Sequence, residues 1–71
     1  MTVESILVYV NGEPHHLPGR RTVADLLNIL NVPADRVAVE LDKTIVRKRA
    51  WDSTFLADGA QLEIVEFVGG G

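Results

Sequence analysis

Apolar residues fall along the chain in five strand-like runs and one helical stripe. Ser5-Ile6-Leu7-Val8-Tyr9-Val10 is rich in β-branched and aromatic residues and predicts a strand. Both of its faces are apolar, which places it inside a sheet. Asn11-Gly12 follows, a pair that favours the positive φ angles of a type I′ hairpin turn. The chain is therefore expected to fold straight back through residues 13–17. Pro14 removes a ladder donor there, so this return strand belongs at an edge, and Pro18-Gly19 ends it. Thr22 is placed as a helix N-cap, with Asp25 three residues on at the positive end of the helix. Val23, Leu26, Leu27 and Leu30 then recur at i, i+3, i+4 and i+7, and Asn31 and Pro33 close the helix.

Residues 36–41 alternate, with Val37, Val39 and Leu41 on one side and Ala38 and Glu40 on the other. Asp42-Lys43 offers a tight turn into a short strand, Thr44-Ile45-Val46. Residues 47–52 read as irregular, with Trp51 tucked in as a plug. Asp58-Gly59 signals another turn. Residues 62–68 form the last strand and run directly into Gly69-Gly70-Gly71. The order is hairpin, helix, strand pair, loop, final strand. The first and last strands are the most apolar, so they are expected to pair in the middle of a mixed sheet. This predicts an α+β chain of the β-grasp type: a mixed four- to five-stranded sheet with one helix packed across one face. Residues 1–68 are expected to be the domain and residues 69–71 a flexible tail.

The chain has 71 residues, enough for one small domain, and 46% of them are apolar. The net charge of −3 argues against nucleic acid as the main partner. There is no cysteine, which removes disulfides, thiolate metal sites and an internal thiol nucleophile. No apolar run is long enough to span a bilayer, and the first residues lack the basic flank and apolar block of a signal peptide. The expectation is a cytoplasmic protein with no membrane partner.

Most of the chemistry-bearing residues read as structural. His15 and His16 are neighbours on a strand, point to opposite faces and cannot chelate one ion together. Arg47-Lys48-Arg49 reads as a short solvated run. Glu63 and Glu66 differ by three along a strand, a poor spacing for an acid–base pair. The three glycines have no helix after them, so they are not a phosphate loop.

The C-terminal stretch is more informative. Glycine has no Cβ, so Gly69, Gly70 and Gly71 make a thin thread able to enter a slot that side chains would block. Three extended residues reach about 10 Å. The terminal carboxylate of Gly71 is the candidate working group. If Leu62 and Ile64 face the helix, Val65 and Phe67 face away from it. No second helix remains to cover that face, so it is a candidate partner-binding surface leading through Val68 into the tail.

The chain resembles the ubiquitin-like sulfur carriers, and among them those of the thiazole branch of thiamine biosynthesis. The resemblance spans the whole chain. It rests on Val37-Ala38-Val39-Glu40-Leu41, Ile45-Val46, Trp51, Leu56-Ala57-Asp58-Gly59 and above all Ile64-Val65-Glu66-Phe67-Val68-Gly69-Gly70-Gly71. A di-glycine end is common to ubiquitin-like modifiers and to the molybdopterin carrier. This chain ends in three glycines, and Gly71 is taken as the reactive one.

The resemblance implies a protein cosubstrate without an active site or cofactor of its own. An E1-like adenylating enzyme, which brings ATP and Mg²⁺, would convert Gly71 to an acyl-adenylate. A persulfide from a sulfur donor, such as a cysteine desulfurase or rhodanese-type protein, would displace AMP and leave a thiocarboxylate. Thiazole synthase would take the sulfur. The alternatives are a carrier for molybdopterin synthesis, a modifier that forms isopeptide bonds through Gly71, and a plain binding module with an inert tail.

Overall fold

The computed structural model describes residues 5–67. Strand β1 (Ser5–Val10) turns at Asn11 and Gly12, whose φ angles of 52° and 85° are the left-handed pair a type I′ turn requires. Strand β2 (Glu13–Pro18) returns antiparallel, pairing Val8 with His15 and Ile6 with Leu17. It lies at the sheet edge, as Pro14 demands, and extends one residue further than expected because Pro18 still pairs with Ser5.

Helix α1 (Val23–Ile29) begins with a capping box. The Thr22 hydroxyl accepts from the Asp25 amide at 3.1 Å, and the Asp25 carboxylate accepts from the Thr22 amide at 2.9 Å. The remaining free amides of the first turn find partners in the loop before the last strand. Val23 donates to the Thr54 carbonyl at 2.9 Å and Ala24 to the Trp51 carbonyl at 3.1 Å. The far end closes in a Schellman motif. Asn31 takes a φ of 62°, its amide reaches the Asn28 carbonyl, and the Val32 amide reaches the Leu27 carbonyl. Val23, Leu26 and Leu27 are buried and Leu30 packs partly against them.

A short 3₁₀ turn (Ala34–Arg36) precedes β3 (Val37–Leu41), which starts one residue later than expected for that reason. Asp42 and Lys43 turn it into β4 (Thr44–Val46). A second 3₁₀ turn (Lys48–Ala50) sets Trp51 into the core. Its indole Nε1 donates to the Val46 carbonyl at 2.9 Å. Strand β5 (Gln61–Glu66) then enters the centre of the sheet, whose order is β2-β1-β5-β3-β4. It runs parallel to β1 and antiparallel to β3.

Among the described residues the sheet is thus mixed and five-stranded, with one α-helix, the β-grasp layout expected from the sequence. Val8, Val10, Leu17, Val37, Val39 and Leu62 from the sheet meet Val23, Leu26 and Leu27 from the helix in one core. Each fully buried Val or Leu contributes about 1.5–3 kcal/mol. Among the described residues, no helix is long and apolar enough to cross a membrane.

Candidate functional site: the exit of the central strand

Strand β5 is gripped at its start, middle and end. At the start, the Asp42 carboxylate accepts from the Gln61 amide at 3.0 Å, and the Asp42 amide donates to the Gln61 carbonyl at 2.7 Å. In the middle, the Asn11 side chain makes two hydrogen bonds to the backbone of Ile64. At the end, the Phe67 amide donates to the Arg36 carbonyl at 2.7 Å. Phe67, two residues before the first of the three glycines, is therefore still tied to the fold.

Alternation along β5 decides which side chains meet solvent. Leu62 is buried and Ile64 packs on the core, whereas Val65 and Phe67 are 58% and 59% exposed. Both candidate partner-binding residues within the described region are thus presented to solvent rather than packed under a loop. Cross-strand register puts Val65 opposite exposed Ala38, and Glu63 opposite Glu40. Glu40 also pairs with Ile45, which is 70% exposed. The outer face of β4, β3 and β5 is therefore an uncovered surface of Ile45, Ala38 and Val65 around two carboxylates. Ile45 was not singled out from the sequence, because a three-residue strand has too short an alternation to show which side faces out.

Val68, Gly69, Gly70 and Gly71, and with them the tail, lie outside the described residues, whereas the last strand, expected over residues 62–68, starts one residue earlier at Gln61 and ends at Glu66, before Phe67. Of the other residues weighed from the sequence, His15 is half-buried beside Val8 and His16 is exposed beside Leu7, on opposite faces of β2. Glu63 and Glu66 also point to opposite faces of β5. Arg47, Lys48 and Arg49 are exposed. Arg20 lies over the ring of exposed Phe55, its guanidinium carbon 4.4 Å from the centroid. The hydrogen bond from the Thr22 backbone holds the Asp25 carboxyl below its ordinary value; burial opposes this, and the Thr22 side chain and Arg21 add to it. That group caps the helix and stands apart from the strand exit. Among the described residues, no group of three or more His, Cys, Asp or Glu side chains could hold a metal ion.

What this arrangement can do is present. It carries the exposed apolar side chains of Val65, on the strand, and Phe67, just past its end, and the sequence places Val68, three glycines and a carboxylate beyond them.

Comparison with known proteins agrees with this geometry. The profile of the ThiS family matches residues 8–71. Uncharacterized protein ycf40 of Porphyra purpurea is 34% identical over 71 residues, the full length of both chains. A thiazole synthase of Magnetococcus marinus is 36% identical over 64 residues, 90% of this chain but 20% of that protein. Among solved structures, the fold is similar to the crystal structure of a thiamine biosynthesis protein (ThiS) from Geobacter metallireducens. The identity is 36% and the TM-score 0.80, over 93% of this chain and 100% of that one.

Proposed function

The chain belongs to the ThiS family, and we propose that it carries sulfur for the thiazole of thiamine as a thiocarboxylate on Gly71. Members of the family are sulfur carriers without catalysis or cofactor of their own, so the reacting enzymes are partners. In this reading residues 1–68 are the docking domain and residues 69–71 the leash. Val65 and Phe67 engage the partner, and Val68, Gly69 and Gly70 thread its cleft.

A carboxylate is a poor electrophile and must first be activated. In the adenylating partner, a Gly71 carboxylate oxygen attacks the α-phosphorus of ATP and pyrophosphate leaves. The terminal sulfur of a persulfide then attacks the acyl carbon and AMP leaves. A thiol cleaves the resulting S–S bond, giving a disulfide and the thiocarboxylate. Thiazole synthase consumes the sulfur. The carrier contributes reach, slimness and docking. With no cysteine in the sequence, no internal thiol competes for the activated glycine.

The observation that carries the reading is the exposed Val65–Phe67 strip on an anchored strand leading into Gly69-Gly70-Gly71. A thiazole synthase with a segment similar to 90% of this chain supports thiazole synthase as the consumer over a molybdopterin enzyme. The test is complementation of an auxotroph that needs thiamine because it lacks its own carrier. The full chain should restore growth, and the chain without Gly70 and Gly71 should not. Growth with the shortened chain would overturn the proposal.

A further inference from the structure

Asn11 does more than its turn requires. Strand β1 runs beside β5 only as far as Val10, opposite Leu62, and the Asn11 amide donates to the Leu62 carbonyl at 2.9 Å. The backbone then leaves β5 through the left-handed turn. Ile64 would be left with an amide and a carbonyl facing the departed strand. The Asn11 side chain takes both. Its Oδ1 accepts from the Ile64 amide at 2.9 Å, and its Nδ2 donates to the Ile64 carbonyl at 3.1 Å. A primary amide thus imitates the next peptide of β1 and prolongs the parallel ladder by one residue. On the other flank, β3 and then the Arg36 carbonyl hold β5 as far as Phe67.

We propose that Asn11 is a positioning residue for the C-terminal segment: by holding Ile64, it sets the line along which β5 delivers residues 65–71 to a partner's cleft. The inference rests on the carrier reading. The choice of residue is telling. Glycine or aspartate at this position would make the same turn. Glycine offers Ile64 nothing, and a carboxylate would face the Ile64 carbonyl without a donor. Asparagine alone of these three satisfies both groups. A strand released at Ile64 on the β1 flank, and held there by β3 alone, would present its exit over a wider range of directions, and the partner would have to restrict them on binding.

The test is steady-state charging of the full chain by the adenylating enzyme, read as pyrophosphate release against carrier concentration. Asn11→Gly and Asn11→Asp keep the turn and are expected to raise the carrier KM about three- to tenfold, the worth of one or two hydrogen bonds. Their kcat should change by less than about twofold, since the lost term is binding rather than chemistry. Gly12→Ala is the stability control: it strains the turn at a φ of 85°, its Cβ meets open space, and the side-chain bonds to Ile64 remain. It should leave KM unchanged. Hydrogen exchange should accelerate at the Ile64 amide in Asn11→Gly relative to the core amide of Val8. A wild-type KM in Asn11→Gly, or an equal rise in Gly12→Ala, would overturn the positioning role alone. A wild-type chain that is never charged would overturn the carrier reading and this one with it.

Discussion

Glu40 and Glu63 stand directly opposite each other on neighbouring strands of the outer sheet face. Cross-strand partners have Cβ atoms about 4.5–5.5 Å apart, and like charges there are destabilising. Replacing Glu63 with Lys turns the repulsion into attraction. It is expected to raise stability by about 0.2–1 kcal/mol in chemical denaturation, and the gain should shrink at high salt. A loss of stability would mean that the two carboxylates do not oppose each other as the register places them.

The capping box gives a pH dependence with a definite sign. The Asp25 carboxyl titrates below its ordinary value of 3.8, chiefly through the Thr22 backbone hydrogen bond. A group depressed on folding stabilises above its unfolded pKa, and that contribution is lost as pH falls through the folded value. Asp25→Asn should therefore be less stable than wild type near neutrality, with the gap narrowing below about pH 4. The matching change Thr22→Ala should cost about 1 kcal/mol. Denaturation curves across this pH range check both.

Trp51 is the plug beneath the loop between β4 and β5. Its replacement by Ala should cost about 3–5 kcal/mol, against about 4–10 kcal/mol for a domain of this length. Trp51→Phe keeps most of the volume and loses the bond to the Val46 carbonyl, so about 1–2 kcal/mol is expected. Thermal denaturation of the two variants checks the order. Near-equal losses would mean that the indole bond, and not the packing, holds the loop.

Val65 and Phe67 are exposed, so changing them should act on partners and spare the fold. Val65→Asp and Phe67→Ala are expected to keep the wild-type melting temperature within a few degrees. Each should reduce kcat/KM for charging by about 5- to 30-fold, the size of a central interface contact. An unchanged kcat/KM would remove this strip from the docking surface.

Much of this chain was legible residue by residue, and the failures have two causes. Asn11-Gly12, Pro14, Thr22 with Asp25, and Asn31 act on their immediate neighbours, so their roles follow from local rules. The burial of Trp51 followed from its size and its loop. Two facts were hidden because they depend on segments far apart in sequence. The Asn11 side-chain amide reaches Ile64 across 53 positions. The start of α1 is completed by carbonyls of Trp51 and Thr54. The two 3₁₀ turns were missed because three residues carry no readable period. At the site, alternation along β5 foretold that Val65 and Phe67 would face away from the core. It could not foretell that Ile45, through its pairing with Glu40, would share the face of Val65.

The most direct test of the account is the intact mass of the full chain after incubation with the adenylating enzyme, ATP and a persulfide donor. A species in which one oxygen is replaced by sulfur is expected, located at Gly71 by fragmentation and absent when ATP is omitted or Gly70 and Gly71 are deleted. An unchanged mass, under conditions that charge an established carrier of the family, would contradict it.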